Sequence, residues 1–453
     1  MIDVRIDLGR IRTLSLLHED TLLIDGAARG AFMASAGGEV RRVAEAIRED
    51  WARQTRIALP LLDEGQFQAS LGLTQPVIAI GHAGNNRLIR RLHDMQFLHN
   101  SDYPTEGFSV VSVHSPFGDG HNVICVLARE PGALRVGALR LLDQLSTRGS
   151  QWRLTRRLIL ADPVPTPADP AAFLAHARTE HNISARDIVR GRFLEPLCQL
   201  NRTGDERWGR AFIKLADPYM TGQVPLNFWL MSAVDFWTDL LATAWDMAEE
   251  FPCFTEVERL RVANFIASCT EYCYESITVQ KWHLTEEDCQ IFNHHTFPAS
   301  GLYFGNAYLK RHGHAIASLD AWMAKALQVF ERAAESGRSF DEGGGVYSTL
   351  VGCHLIRVEL ARGNDAYVRG DKIRHYADLL ACTMNNHLEQ VPYGDCHEYH
   401  QSEEPERAAT ILLCAAEAHP DDGFKWVAAG RAPRFTADDV LTGDGPAAPP
   451  PRH

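Results

Sequence analysis

The stretch FNHHTFPASGLYFGNAYLKRHG, residues 292–313, sets an asparagine and two adjacent histidines ahead of a proline. Amide and imidazole groups donate hydrogen bonds to developing negative charge, and an imidazole also carries a proton near neutral pH. Proline does not extend a preceding helix. The spacing therefore puts Asn293, His294 and His295 in a loop, with a helix starting after them, and such loop positions often face a cleft. The plainer reading is that these residues cap the helix and satisfy its first backbone groups. No third ligand stands at metal spacing, so the pattern gives no metal site. Carboxylates cluster in two other places. Asp341 and Glu342 precede a glycine triplet in FDEGGGVY and suit a helix N-terminus. Asp395, His397, Glu398 and His400 lie close together in a polar loop, GDCHEYHQSEEPE. Trp229, Trp237 and Trp245 recur every eight residues, on one helical face; that is more often core than a sugar-stacking platform.

What must position these groups is a long chain. At 453 residues it exceeds one ordinary core, and two or three domains are expected. Composition is globular, 45% hydrophobic and 23% charged, with nine Trp and twenty Phe to fill helical cores. A net charge of −13 argues against nucleic-acid and anionic-membrane partners, but not against an acidic substrate held in a local basic pocket. The ten Cys form no CxxC pair and read as reduced, small apolar residues. The opening MIDVRIDLGRIRTLSLLHED carries charges throughout and no secretory h-region. A cytoplasmic location is the default expectation, and a periplasmic or secreted form that has lost its leader is compatible with it.

The hydrophobic pattern changes once. In residues 1–160, DTLLIDG, QPVIAIG, FSVVSV and HNVICVL read as strands, and EVRRVAEAIREDWARQT and GALRVGALRLLDQL as helices. This predicts a small α/β sandwich. ADPVPTPADP, residues 161–170, reads as a linker. From 171 to 430 apolar residues recur at three and four spacing in at least seven segments joined by short loops, which predicts antiparallel helical hairpins closing into a toroid or remaining an open array. Residues 431–453, rich in Gly and Pro, read as a disordered tail.

NHHTFPASGLYFGNAYLKRHG resembles the NH-x-TFPALGLYFG signature of the toroid domain in the heparinase II/III-like polysaccharide lyase group. FDEGGGVYSTLVGCHLIRVEL (340–360) resembles the acidic, Gly-rich segment with a Tyr that follows in such enzymes, and VPYGDCHEY (391–399) resembles a later FGD loop. The likeness runs over roughly residues 20–430. It implies a multidomain α/β plus all-α chain with an (α/α) toroid, acting on an acidic polysaccharide or oligosaccharide by β-elimination without a cofactor. By this resemblance Asn293 and His294 match the carboxylate-neutralising pair and Tyr347 the catalytic Tyr; His295 is a second proton carrier. Tyr303, Glu342, Asp395 and His397 are substrate-binding candidates. Members of the group usually carry a β-sandwich after the toroid. No strand pattern follows residue 430, so by this resemblance either a second chain supplies that part or the site is incomplete.

Two other readings stand beside this one. A glycoside hydrolase on a similar scaffold needs two carboxylates roughly 5 to 9 Å apart, with Asp341, Glu342, Asp395 and Glu398 as candidates. A non-catalytic glycan-binding protein would use the same groove without turnover.

Overall fold

The computed structural model describes residues 6–15, 17, 20–68, 71–99, 102, 104, 106–162, 169–179, 189–223, 234–277, 291–335, 347–384, 405–419 and 422–431. Among the described residues nine strands fall in the N-terminal part: β1 (Thr21–Asp25), β2 (Ala31–Ala34), β3 (Leu61–Asp63), β4 (Val77–Gly81), β5 (Phe108–Val113), β6 (Val123–Leu127), β7 (Ser146–Arg148), β8 (Gln151–Leu154) and β9 (Ile159–Asp162). Three helices lie among them: α1 (Gly38–Thr55), α2 (Arg87–Asp94) and α3 (Pro131–Asp143). β2, β3, β4 and β6 run parallel, and β5 lies antiparallel between β6 and β9, in the order β3-β2-β4-β6-β5-β9. β1, β8 and β7 form a separate antiparallel sheet.

Side-chain alternation along each strand decides the layers. Ile78, Ile80, Val110, Ile124 and Val126 pack with Ile47 and Trp51 of α1 and Leu134 and Leu141 of α3. Their neighbours Val77, Ala79, Val111, Val123, Cys125 and Leu127 point the other way, onto Leu88, Ile89 and Leu92 of α2. Helices thus cover both faces of the large sheet, the α/β sandwich that the sequence predicts. Each fully buried aliphatic chain of this kind contributes roughly 1.5–3 kcal/mol. Asn86 staples the C-terminal edge. Its Nδ2 donates to the Met33 and Ile80 carbonyls, both at 3.1 Å, while its Oδ1 accepts from Leu88 and Ile89 at the start of α2.

The remaining described residues are mostly helical: α4 (Pro170–Thr179), α5 (Glu195–Thr203), α6 (Arg207–Met220), α7 (Thr238–Ala248), α8 (Glu256–Glu275), α9 (Asn293–Arg311), α10 (Leu319–Glu335), α11 (Tyr347–Ala361), α12 (Asp371–Cys382), α13 (Pro405–Ala418) and α14 (Asp422–Arg431). Among the described residues no helix is long and apolar enough to cross a membrane. Trp237 and Trp245 are buried core residues, in line with the plainer reading of the tryptophan spacing; Trp229 lies outside the described residues.

One sequence expectation is overturned. α9 begins at Asn293, and Pro298 lies inside it rather than ahead of it. A proline in the second turn costs one ladder bond, since it offers no N–H to the carbonyl four residues back, here His294. The helix absorbs that loss, so Asn293, His294 and His295 are first-turn helical residues, not loop residues.

Contacts divide the chain into two compact units, one holding Asp3–Thr270 and Phe304–Leu319, the other Glu271–Tyr303 and Asp320–His453. In the first, α5 packs on α6 and α7; in the second, α13 packs on α11, α12 and α14. Within the first unit the N-terminal segment is strapped to α8. Asn264 accepts from the Ile11 N–H at 2.6 Å and donates to the Ile11 carbonyl at 2.9 Å.

Candidate functional site

The first turn of α9 is built from backbone and side chain together. Phe292 stands just before the helix, and its carbonyl accepts from the N–H of His295 at 3.0 Å and of Thr296 at 3.3 Å. His295 returns the favour: its Nδ1 accepts the Phe292 N–H at 3.2 Å, and its ring meets the Phe292 ring edge-on at 3.9 Å. This is capping-box logic with an imidazole in place of the usual Glu or Gln. With Nδ1 accepting, the neutral ring carries its proton on Nε2. His295 is fully buried, Asn293 is 2% exposed and His294 is exposed. The three neighbours therefore divide: one caps, one is buried at the helix start, and one reaches solvent.

Thr296 links this turn to α11. Its hydroxyl lies 2.9 Å from His354 Nδ1 and 3.2 Å from the Asn293 carbonyl. The Phe297 ring packs edge-on against the His354 ring at 4.5 Å. Burial, with Arg357 and Arg407 nearby, pushes His354 down to about 3, so it is neutral at any ordinary pH. Tyr347 is the first residue of α11, two turns before His354, about 10 Å along the axis. Its side chain lies outside the described residues, as do Asp341, Glu342, Asp395, His397, Glu398 and His400. Tyr303 is on α9 and 8% exposed. The structure thus joins the Asn-His turn to the helix that Tyr347 opens. The site's acidic candidates and FGD-like loop fall outside the described residues.

The other unit holds a buried cluster that sequence reading passed over. Arg311, at the end of α9, forks onto the Asp246 carboxylate at the end of α7 and donates to the His114 carbonyl just past β5, at 2.6 Å. His312 sits between two acids, Nε2 at 2.8 Å from Asp246 and Nδ1 at 3.3 Å from Glu249. His114 Nδ1 pairs with Glu250, whose other oxygen accepts the Leu17 N–H at 2.6 Å. Burial would raise Asp246, but Arg311 and His312 outweigh it and hold the carboxyl at about 2. Burial wins at Glu249, which is raised although His312 and the Tyr308 hydroxyl both favour its anion. Among the described residues no three of these groups converge as metal ligands. The cluster is closed to solvent, so it ties the β5 end to α7 and α9 rather than meeting a substrate. The sequence signals were WDMAEE at one helix end and KRHGH at another, oppositely charged runs whose meeting is tertiary.

Comparison of the chain with protein-family models, curated proteins and solved structures gives no match.

Proposed function

We propose that the chain is a carbohydrate-active protein with an (α/α) toroid that follows its α/β sandwich in sequence, of the heparinase II/III-like kind, and that it cleaves a uronic-acid-containing glycan by β-elimination. One observation carries this reading: the turn bearing Asn293 and His294 is fastened through Thr296 and His354 to the helix that begins at Tyr347. In the proposed reaction the Asn293 amide and His294 imidazole bind the uronate carboxylate and stabilise its charge as the adjacent carbon loses a proton. Tyr347 takes that proton and returns it to the departing 4-oxygen. Electrons from the broken C–H bond form the C4–C5 double bond as the C4–O bond breaks. No cofactor enters the balance. The helical hairpins in each unit support the toroid reading, and the exposure of His294 supports its role as the group that meets substrate.

The test is a panel of 1,4-linked polyuronates and uronate–amino-sugar polymers, followed by ultraviolet absorbance of the unsaturated product. Elimination gives that absorbance; hydrolysis gives only new reducing ends. His294→Ala and Tyr347→Phe are each expected to lower turnover by about 100-fold or more while keeping the folded circular-dichroism spectrum. Near-full activity of His294→Ala would remove the Asn-His pair from the mechanism.

A further inference from the structure

We propose that His354 is a positioning residue of this site: through Thr296 it holds the Asn293–His294 peptide, and so the donor directions of both side chains. The inference rests on the lyase reading for its functional consequence, but its geometric content stands apart from it.

The argument begins with proton counting. A threonine hydroxyl has one proton and two lone pairs. Thr296 Oγ1 approaches two polar atoms, the Asn293 carbonyl at 3.2 Å and His354 Nδ1 at 2.9 Å. A carbonyl only accepts. If the hydroxyl donates to it, the contact with His354 is a hydrogen bond only when Nδ1 carries a proton and donates. One assignment therefore satisfies both contacts: His354 Nδ1–H to Thr296 Oγ1, and Thr296 O–H to the Asn293 carbonyl. It requires the Nδ1–H tautomer, the less common form of a free imidazole and the opposite of the tautomer of His295, the residue before Thr296. Thr296 is fully buried, so neither contact competes with water.

The Asn293 carbonyl belongs to the peptide that links Asn293 to His294. Turning that peptide swings the Asn293 amide and the His294 ring together. In this turn His295 and Thr296 donate their N–H groups to the Phe292 carbonyl, and Pro298 has no N–H to add to the ladder. A side-chain chain of hydrogen bonds from α11 adds a tertiary tie to this turn. The Phe297 ring, edge-on to the imidazole at 4.5 Å, packs against the same ring. A misplacement of about 1 Å in a catalytic group costs on the order of 100-fold in rate.

The experiment compares shape with hydrogen bonding. His354→Phe keeps an aromatic plate against Phe297 and removes Nδ1; His354→Asn shrinks the plate and keeps a donor near the Nδ1 position. Thr296→Val and Thr296→Ser repeat the contrast from the other side. Two readouts are taken on the full chain. The first is NMR with labelled histidine and asparagine. The wild-type His354 nitrogens are expected to report the neutral Nδ1–H tautomer from pH 5 to 8, and the Asn293 side-chain amide to shift or broaden in His354→Phe and Thr296→Val but not in His354→Asn or Thr296→Ser. The second is turnover of a uronate polymer. His354→Phe and Thr296→Val are expected to lose about 10- to 100-fold in kcat with little change in KM, and the polar variants to recover most of it. An Nε2–H tautomer, or an Asn293 amide unmoved in both apolar variants, overturns the proposal. Equal loss in all four variants, tracking melting temperature, also overturns it in favour of plain packing. If the wild type releases no unsaturated product, the lyase reading fails, and the tautomer and amide signals still decide whether His354 holds the turn.

Discussion

Single titratable residues set how this fold responds to acid and base. His314, 6% exposed, is pushed down to about 4 by burial and by His312 beside it, and His354 to about 3. A histidine held neutral in the fold but free to protonate in the unfolded chain favours the fold above its ordinary value, near 6.5. That advantage drains away as pH falls toward the folded value, at about 1.4 kcal/mol per pH unit for each group. Melting temperature should therefore drop steeply between pH 6.5 and 4, and His314→Gln should flatten the slope; a wild-type curve flat over that window would contradict both placements. Glu249 has the opposite sign. Its carboxyl is raised, so it favours the fold below the ordinary carboxylate value and opposes it as pH climbs through the raised one. Because burial outweighs its partners, Glu249→Gln should match the wild type near pH 4 and exceed it by roughly 1–3 kcal/mol at pH 8 in urea unfolding. A loss of stability at pH 8 would mean that the anion is doing structural work with His312.

At the scale of elements, close approach of helices is the limiting feature. A Cβ at Gly305 on α9 would stand 3.1 Å from Thr270 Cγ2 and 3.2 Å from its Cβ, with Oγ1 nearer still. Thr270 cannot swing away cheaply, because Oγ1 donates to the Ile266 carbonyl at 2.8 Å. Gly305→Ala gains up to about 1 kcal/mol in helix propensity and should still lose about 1–3 kcal/mol to overpacking. Thr270→Ala in the same chain should restore the melting temperature, a coupling that a double-mutant cycle reads directly. Most elements were legible because their own residues encode them. FSVVSV and HNVICVL carry β-branched runs, and α1, α6, α8, α10 and α13 carry clear three-and-four spacing. β2 escaped, being AFMA with no β-branched residue, as did β7 and β8, whose exposed STR and QWRL show no apolar alternation. α2 escaped because eight residues between Asn86 and Met95 are too few for a period to show. The proline rule misplaced the start of α9, since one missing N–H near a helix end costs less than the rule assumes. The candidate turn itself was legible as residue types. Its fastening was not: Thr296 and His354 are 58 positions apart, and nothing local marks either as the other's partner.

For the whole molecule, charge and proposed substrate pull against each other. The chain carries −13 and the proposed polymer is a polyanion. Far from the site these charges repel, and the repulsion reaches about 30 Å at 0.01 M salt but only about 8 Å at 0.15 M. Near the site, donors such as the Asn293 amide and the His294 ring act over contact distances and are screened much less. Raising salt should therefore remove the long-range penalty while leaving the short-range attraction largely in place. KM for a polyuronate is expected to fall several-fold between 0.01 and 0.15 M sodium chloride, with kcat nearly constant. A short oligosaccharide bearing one uronate should show a much weaker trend, because it brings little charge into the outer field. A basic cleft dominating the encounter would give the reverse, a KM that rises with salt and rises most for the longest polymer. The sign of that slope thus distinguishes capture of the proposed polymer against the chain's own field from steering by a local basic cleft, and it can be read from initial rates.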